Sequence, residues 1–210
     1  MHLNWRGIMK IVSLTEQQHK SGNDYINIIE KDGIIVFALA DGAGNNKNSD
    51  FASNFVVEAC KELLSNEKFD NPDDFEFFLS DLDEIIFNSK NWGETTAVVG
   101  KIINNVIMGA SVGESQAWLL GGDFDYQLTE FQYPKPLLGS MDAKPIGFGP
   151  MLINDTLIIA SDGLFNYAKF SEIRNLSLSE NTNAQELIDL AKNEANKLSD
   201  DTSVIVIKKL

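Results

Sequence analysis

Two apolar runs in this chain end in the same way. Residues 33–40, "GIIVFALA", lead straight into Asp41-Gly42, and residues 156–161, "TLIIAS", lead into Asp162-Gly163. A run that is apolar at every position reads as a strand covered on both faces. Each is then stopped by a carboxylate and a glycine, a combination that needs a reason.

The rest of the chain supplies more strands of shorter reach. Residues 8–14 and 25–30 read as strands, the second with near alternation, and Asp32-Gly33 predicts a tight hairpin to the run at 33–40. Ser49 or Asp50 is placed to cap a helix reaching about Leu64, with Phe51, Phe55, Val56, Ala59, Leu63 and Leu64 near one face. Residues 71–90 read as a second helix, opened by Pro72 and two aspartates, with Phe75, Phe78, Leu79, Leu82, Ile85 and Ile86 as its stripe. Residues 94–103, 105–112 and 115–120 read as a β-meander. Residues 121–150 read as loops with one short strand near 126–130, and 136–149 as a mobile rim loop. Helices are expected at 171–176 and 183–198, and "TSVIVIKK" closes as a strand. Strands in hairpins with helices paired between them make an α+β chain with antiparallel sheet.

Charge and residue inventory exclude several functions. The formal net charge of −14 repels nucleic acid and anionic membranes, so neither is expected as a partner. Cys60 is the only cysteine, which excludes an intramolecular disulfide and a multi-cysteine zinc site; within "FVVEACKELL" it reads as core. His2 and His19 are the only histidines, too few for a multi-histidine metal site and ill-suited to a Ser-His-Asp triad. "MHLNWRGIMKIVSL" lacks a signal peptide's apolar core, so a cytoplasmic location is expected, with Met1 or Met9 as the start.

Aspartates gather where strands end. Asp41 and Asp162 close strands, Asp24 precedes one, and Asp200-Asp201 precede the last. One Asp-Gly reads as a turn and nothing more. Two at strand ends, plus the Asp pair, leave turn chemistry and a metal site as equal readings. With neither thiolate nor imidazole at hand, such carboxylates suit a hard divalent cation, Mg²⁺ or Mn²⁺.

The ordered set of segments says more. "GNDY" at 22–25, "ALADGAG" at 38–44, "GETTAVV" at 93–99, "SVGESQAWLL" at 111–120, "LIIASDGLFN" at 157–166 and "SDDTSVIVI" at 199–207 follow one another along almost the whole chain. In that order they resemble the motifs of the metal-dependent, type-2C serine/threonine protein phosphatases. The resemblance implies one domain over residues 1–210, a four-layer α-β-β-α sandwich of two antiparallel sheets flanked by helices. It implies hydrolysis of phosphoserine or phosphothreonine in a protein by water activated between two Mn²⁺ or Mg²⁺ ions, with no protein nucleophile. By that resemblance Asp41 bridges the metals, Gly42 lends its carbonyl, and Asp162 and Asp200 complete the first site. Asp24 holds metal-bound water, and Glu114 stands where a third, weaker metal is bound. Asp201 occupies a position usually held by asparagine. Two departures stand out. His19, beside Lys20, replaces an arginine that contacts phosphate in many members, and Ala43 replaces a histidine that serves some members as general acid. The short segment before residue 156 resembles the compact bacterial members without a flap insertion, which act in signalling. A monomer acting on a phosphorylated protein is expected. A weakly active binding or regulatory module, and a phosphatase for a small-molecule ester, are the alternatives.

Overall fold

The computed structural model describes residues 9–18, 23–43, 48–64, 69–89, 91–122 and 124–209. Ten strands form two antiparallel five-stranded sheets. The first contains β1 (Met9–Glu16), β10 (Thr202–Lys209), β9 (Thr156–Ala160), β6 (Gln116–Leu120) and β7 (Tyr126–Gln127), in that order. The second contains β2 (Asp24–Lys31), β3 (Ile34–Asp41), β4 (Ala97–Ile103), β5 (Val106–Val112) and β8 (Ile146–Leu152).

The uninterrupted apolar runs are explained by the layers. On β3, Ile35, Phe37 and Leu39 face the first sheet, while Val36, Ala38 and Ala40 face helices. On β9, Leu157 and Ile159 point between the sheets, while Ile158 and Ala160 pack on the other helical layer. A period of two with both faces covered leaves no position for a polar residue. α1 (Ser49–Ala59) and α2 (Pro72–Asn88) cover the second sheet; α3 (Asp162–Phe165), α4 (Phe170–Leu178) and α5 (Ala184–Asp189) cover the first. This is the expected α-β-β-α sandwich. No helix of the described residues is long and apolar enough to cross a membrane.

Local chemistry sets the element ends. Asp32 and Gly33 both take positive φ, 53° and 79°, and close the β2–β3 hairpin as expected. α2 starts on a capping box between Asn71 and Asp74 with Pro72 in its first turn. α1 differs from its expectation: Asn48 holds the cap position, and Ser49 and Asp50 lie inside the helix. Its helical geometry tightens to a 3₁₀ turn over Cys60–Leu64. Phe51 and Ile85, both assigned to buried stripes from sequence, are exposed, while small Ala52 and Ser53 take the buried positions on α1.

Four larger expectations change. The meander does not exist: β4 and β5 pair in one sheet, but β6 belongs to the other, so residues 113–115 cross between sheets. β8 fills a stretch read as loop, because its two glycines and proline sit on an edge strand that needs few ladder bonds. The helix expected to reach 198 ends at Asp189. There Asn193 accepts the amides of Ala195 and Lys197 and Asn196 turns to φ 56°, a local alternative to helix. Lastly, residues 136–149 do not form a mobile loop. Leu137 and Leu138 are buried, and the following turn is strapped to α2.

That strap hangs on one side chain. Asp83, buried on α2, accepts the amides of Gly139 at 2.6 Å, Met141 at 3.1 Å and Ala143 at 3.1 Å. Glu76 adds the Gly147 amide at 2.6 Å. Asp83→Ala leaves three amides without their acceptor and is expected to destabilise the chain by about 3 kcal/mol. Asp81→Ala, on the exposed face of the same helix, is expected to cost at most ~0.5 kcal/mol. Denaturant midpoints of the two variants check this; equal midpoints would show that the strap adds nothing.

Candidate functional site

Strand pairing brings the aspartates together. Asp24 opens β2 and Asp41 closes β3, and the antiparallel register sets them directly opposite. Asp162 follows β9 and Asp200 precedes β10, two strands that also pair. The matching ends of the two sheets meet here, and the charges of Asp24, Asp162 and Asp200 all bear on Asp41. Glu114, on the crossing between β5 and β6, bears on Asp162.

Main-chain bonds fix Asp41 firmly. Its amide donates to the Thr96 hydroxyl at 3.1 Å, and its carbonyl accepts from Thr96 N–H at 2.8 Å and from the Thr95 hydroxyl at 2.9 Å. The Thr96 hydroxyl bonds that of Ser115 at 2.9 Å, tying the β5–β6 crossing to the same point. These threonines belong to "GETTAVV", a segment whose residues have no assigned role at the level of sequence.

Glycine is required at 42 and 163 by close approach. A Cβ at Gly42 would stand 2.8 Å from Asn23 Cβ and from the Ser49 carbonyl, and one at Gly163 would collide with the Asp201 carbonyl. Gly42 N–H also donates to the Asn23 carbonyl at 3.1 Å, which the Ser53 hydroxyl reaches too. Each Asp-Gly step therefore lets one aspartate's chain lie against another's.

Asp201 is engaged differently from its neighbours. Its two oxygens accept the amides of Gln18 and Asn23, both at 2.7 Å. Those amides flank residues 19–22, so His19 and Lys20 lie outside the described residues. The Asp200 carboxylate accepts Asp201 N–H at 2.9 Å, and Asp162 accepts the Asn166 amide group at 3.0 Å. Ser161 and Ser203, adjoining the aspartates in "ASDG" and "DTSV", face Asp24, and sequence reading does not single them out. The Ser161 hydroxyl accepts Ser203 N–H at 2.9 Å, and the Ser203 hydroxyl bonds that of Thr15 at 2.8 Å.

Electrostatics here are dominated by crowding of one sign. Burial, then the charge of Asp24, pushes the Asp41 carboxyl far above the carboxylate range. Asp24 is itself raised by burial, against a lowering by Asp41 and the two serines. Asp162 is raised by burial and by Asp200. Both buried oxygens of Asp24 lack a donor in bonding geometry, although Ser161 and Ser203 are near enough to favour its charge. Among the described residues no three such groups close into a ready-made cage. The set nonetheless fits a hard divalent cation: the donors are oxygens, two are buried and orphaned, and the local charge asks for a counter-charge. Cys60 offers no competing chemistry, since it is buried and its thiol is pushed up to about 12.

Comparison with known proteins agrees with this layout. A family model described as protein phosphatase 2C matches residues 15–107. Protein phosphatase PhpP of Streptococcus pneumoniae is 27% identical over 212 residues, covering 82% of this chain and 85% of that protein. Among solved structures, a point-mutated form of a bacterial serine phosphatase superposes with a TM-score of 0.80 at 24% identity, covering 97% of this chain and 100% of that one. The S. agalactiae serine/threonine phosphatase gives a TM-score of 0.79 at 23% identity, covering 97% and 100%. The structural likeness carries the fold.

The raised carboxyls fix the sign of a pH dependence. Groups that bind protons more tightly when folded stabilise the chain at low pH, and that stability is lost as pH rises through their folded values. Glu16 and Asp189, held low by Lys192, act in the more acid window and do not overlap. The metal-free melting temperature is therefore expected to fall from about pH 5 to about pH 8, and Mn²⁺ to raise it most at the upper end. A flat or rising metal-free profile would contradict the crowding.

Proposed function

Since a protein phosphatase 2C family model matches residues 15–107 and a protein phosphatase is 27% identical over most of the chain, we propose that this is a protein serine/threonine phosphatase of that family that works with two Mn²⁺ or Mg²⁺ ions. The observation that carries the reading is the delivery of Asp24, Asp41, Asp162 and Asp200 to one end of the sandwich by two strand pairs. Such ions, when bound, acidify water and offset the charge of phosphoryl oxygens.

The chain's own residues divide the remaining tasks. Asp41, fixed through Thr95 and Thr96, would hold the ions together with the Gly42 carbonyl. Asp162 and Asp200 would complete the first site. Asp24, whose two buried oxygens lack a donor in bonding geometry, would accept a hydrogen bond from water and so orient it. Glu114, on the sheet crossing and close enough for its charge to bear on Asp162, would hold a third ion. Asp201 serves here as a clamp on the chain around residues 18–23 in preference to ligation, because both its oxygens already accept amides. Ala43 brings no proton donor, so the leaving group takes its proton from solvent. The short segment between Leu120 and Thr156 carries no long insertion, in keeping with a folded phosphoprotein as the proposed substrate class.

The test is hydrolysis of p-nitrophenyl phosphate and of a phosphothreonine peptide by the full chain with Mn²⁺. Activity is expected to vanish with EDTA and to fall roughly 100-fold or more in Asp41→Ala and Asp162→Ala. Undiminished turnover in either variant would overturn the site. Turnover of small esters without any phosphopeptide would overturn the substrate class.

A further inference from the structure

We propose that Lys144, held over Tyr133, is a specificity-determining residue that takes a substrate carboxylate beside the target phosphoserine or phosphothreonine; the proposal rests on the phosphatase reading above. Its ligand is an acidic stretch of the phosphoprotein, not the phosphoryl group itself.

The pair is tied to the sheet crossing that carries Glu114. The Tyr133 carbonyl accepts Gly113 N–H at 2.9 Å, and the Gln132 amide group donates to the Ser115 carbonyl at 2.7 Å. Glu114, the neighbour of Asp162, lies between those two attachment points. Ser115 in turn bonds Thr96, which holds the Asp41 amide. Tyr133 is thus lashed to the cluster through the sheet crossing, and its ring is half exposed at 48%.

Lys144 is an exposed lysine with little of a surface lysine's freedom at its base. The preceding amide, Ala143 N–H, is bonded to buried Asp83, and Pro145 after it is buried. Its ammonium lies 5.9 Å from the Tyr133 ring centroid, in cation–π range. Among the described residues it forms no ion pair, whereas Lys169, Arg174 and Lys192 do. The charge is therefore positioned but not neutralised.

Its surroundings define what it would meet. The charges weighing most on Asp41 and Asp162 are carboxylates, and the whole chain carries −14. An acidic phosphoprotein segment approaching the site is repelled unless a local cation offsets the field. Lys144 reaches the site by way of the Gly113–Ser115 crossing and not through the aspartates. In the proposal its ammonium meets a side chain flanking the phosphorylated residue.

The experiment compares two phosphothreonine peptides that differ only in flanking Asp and Glu versus Asn and Gln, with p-nitrophenyl phosphate alongside. The full chain is assayed with Mn²⁺ as wild type, Lys144→Gln, Lys144→Arg and Tyr133→Leu. Wild type is expected to favour the acidic peptide through KM, and the preference to fade with added salt. Lys144→Gln is expected to raise KM for the acidic peptide about fivefold more than for the neutral one, with little difference in kcat. Lys144→Arg is expected to restore the preference, and Tyr133→Leu to weaken it. Equal losses on both peptides, or a loss as large on p-nitrophenyl phosphate, would overturn the proposal, as would an unchanged preference. Wild type inactive on all three substrates would overturn the phosphatase reading first, and is distinguished before any variant is made.

Discussion

Asp24 and Asp41 face each other across β2 and β3, withdrawn from water and joined by the field of Asp162 and Asp200. Like charges directly opposite one another in a sheet are destabilising, and burial magnifies the effect. The surrounding bonds are arranged to keep them there. Thr95 and Thr96 hold the Asp41 main chain, and the Asn23 carbonyl receives Gly42 and Ser53. The Asn23 amide is taken by Asp201 from the other sheet. The core on both sides of β3 then supplies the burial that makes this end of the strand rigid. Stability lost to crowding carboxylates would be recovered by a bound cation, which on the proposed reading couples folding to metal uptake.

Much of this is legible in the sequence because it is carried by period and punctuation. The doubly covered strands β3 and β9, the hairpin at Asp32-Gly33 and the start of α2 follow from apolar runs, positive-φ residues and a capping box. The convergence of strand-end aspartates also follows, since each is set by a strand and not by a loop. What stays hidden depends on partners distant in sequence. Nothing local says that β6 leaves the sheet of β5, because a hairpin and a sheet crossing share the same glycine turn. Edge strand β8, with its glycines and proline, reads as loop until β5 is seen beside it. Phe51 and Ile85 fit an apolar stripe by angle but lie beyond what the second sheet covers.

The site is only half visible for the same reason. Aspartates announce themselves by charge and position, whereas Thr96, Ser161 and Ser203 act through geometry that their residue type does not reveal. Asp201 stands at a position usually held by asparagine, and only the structure reveals that its two oxygens accept the amides of Gln18 and Asn23. Asp83 gives no sign at all, being one acidic residue among several on α2, and it sets the course of the strap.

The attachment of residues 137–147 to α2 bears on how such a chain can change over time. The strap hangs mainly on Asp83 and Glu76, which hold main-chain amides and are indifferent to the side chains that follow them. Beyond buried Leu138, which pairs with Thr95, the exposed residues Met141, Asp142 and Lys144 are thus loosely coupled to strand register, while the aspartates are bound to register residue by residue. On the proposed reading, substitutions at those exposed positions would alter which proteins are recognised and leave the aspartate cluster in place. The fold in this way keeps two inheritances apart, one for chemistry and one for taste, and lets the second drift without endangering the first.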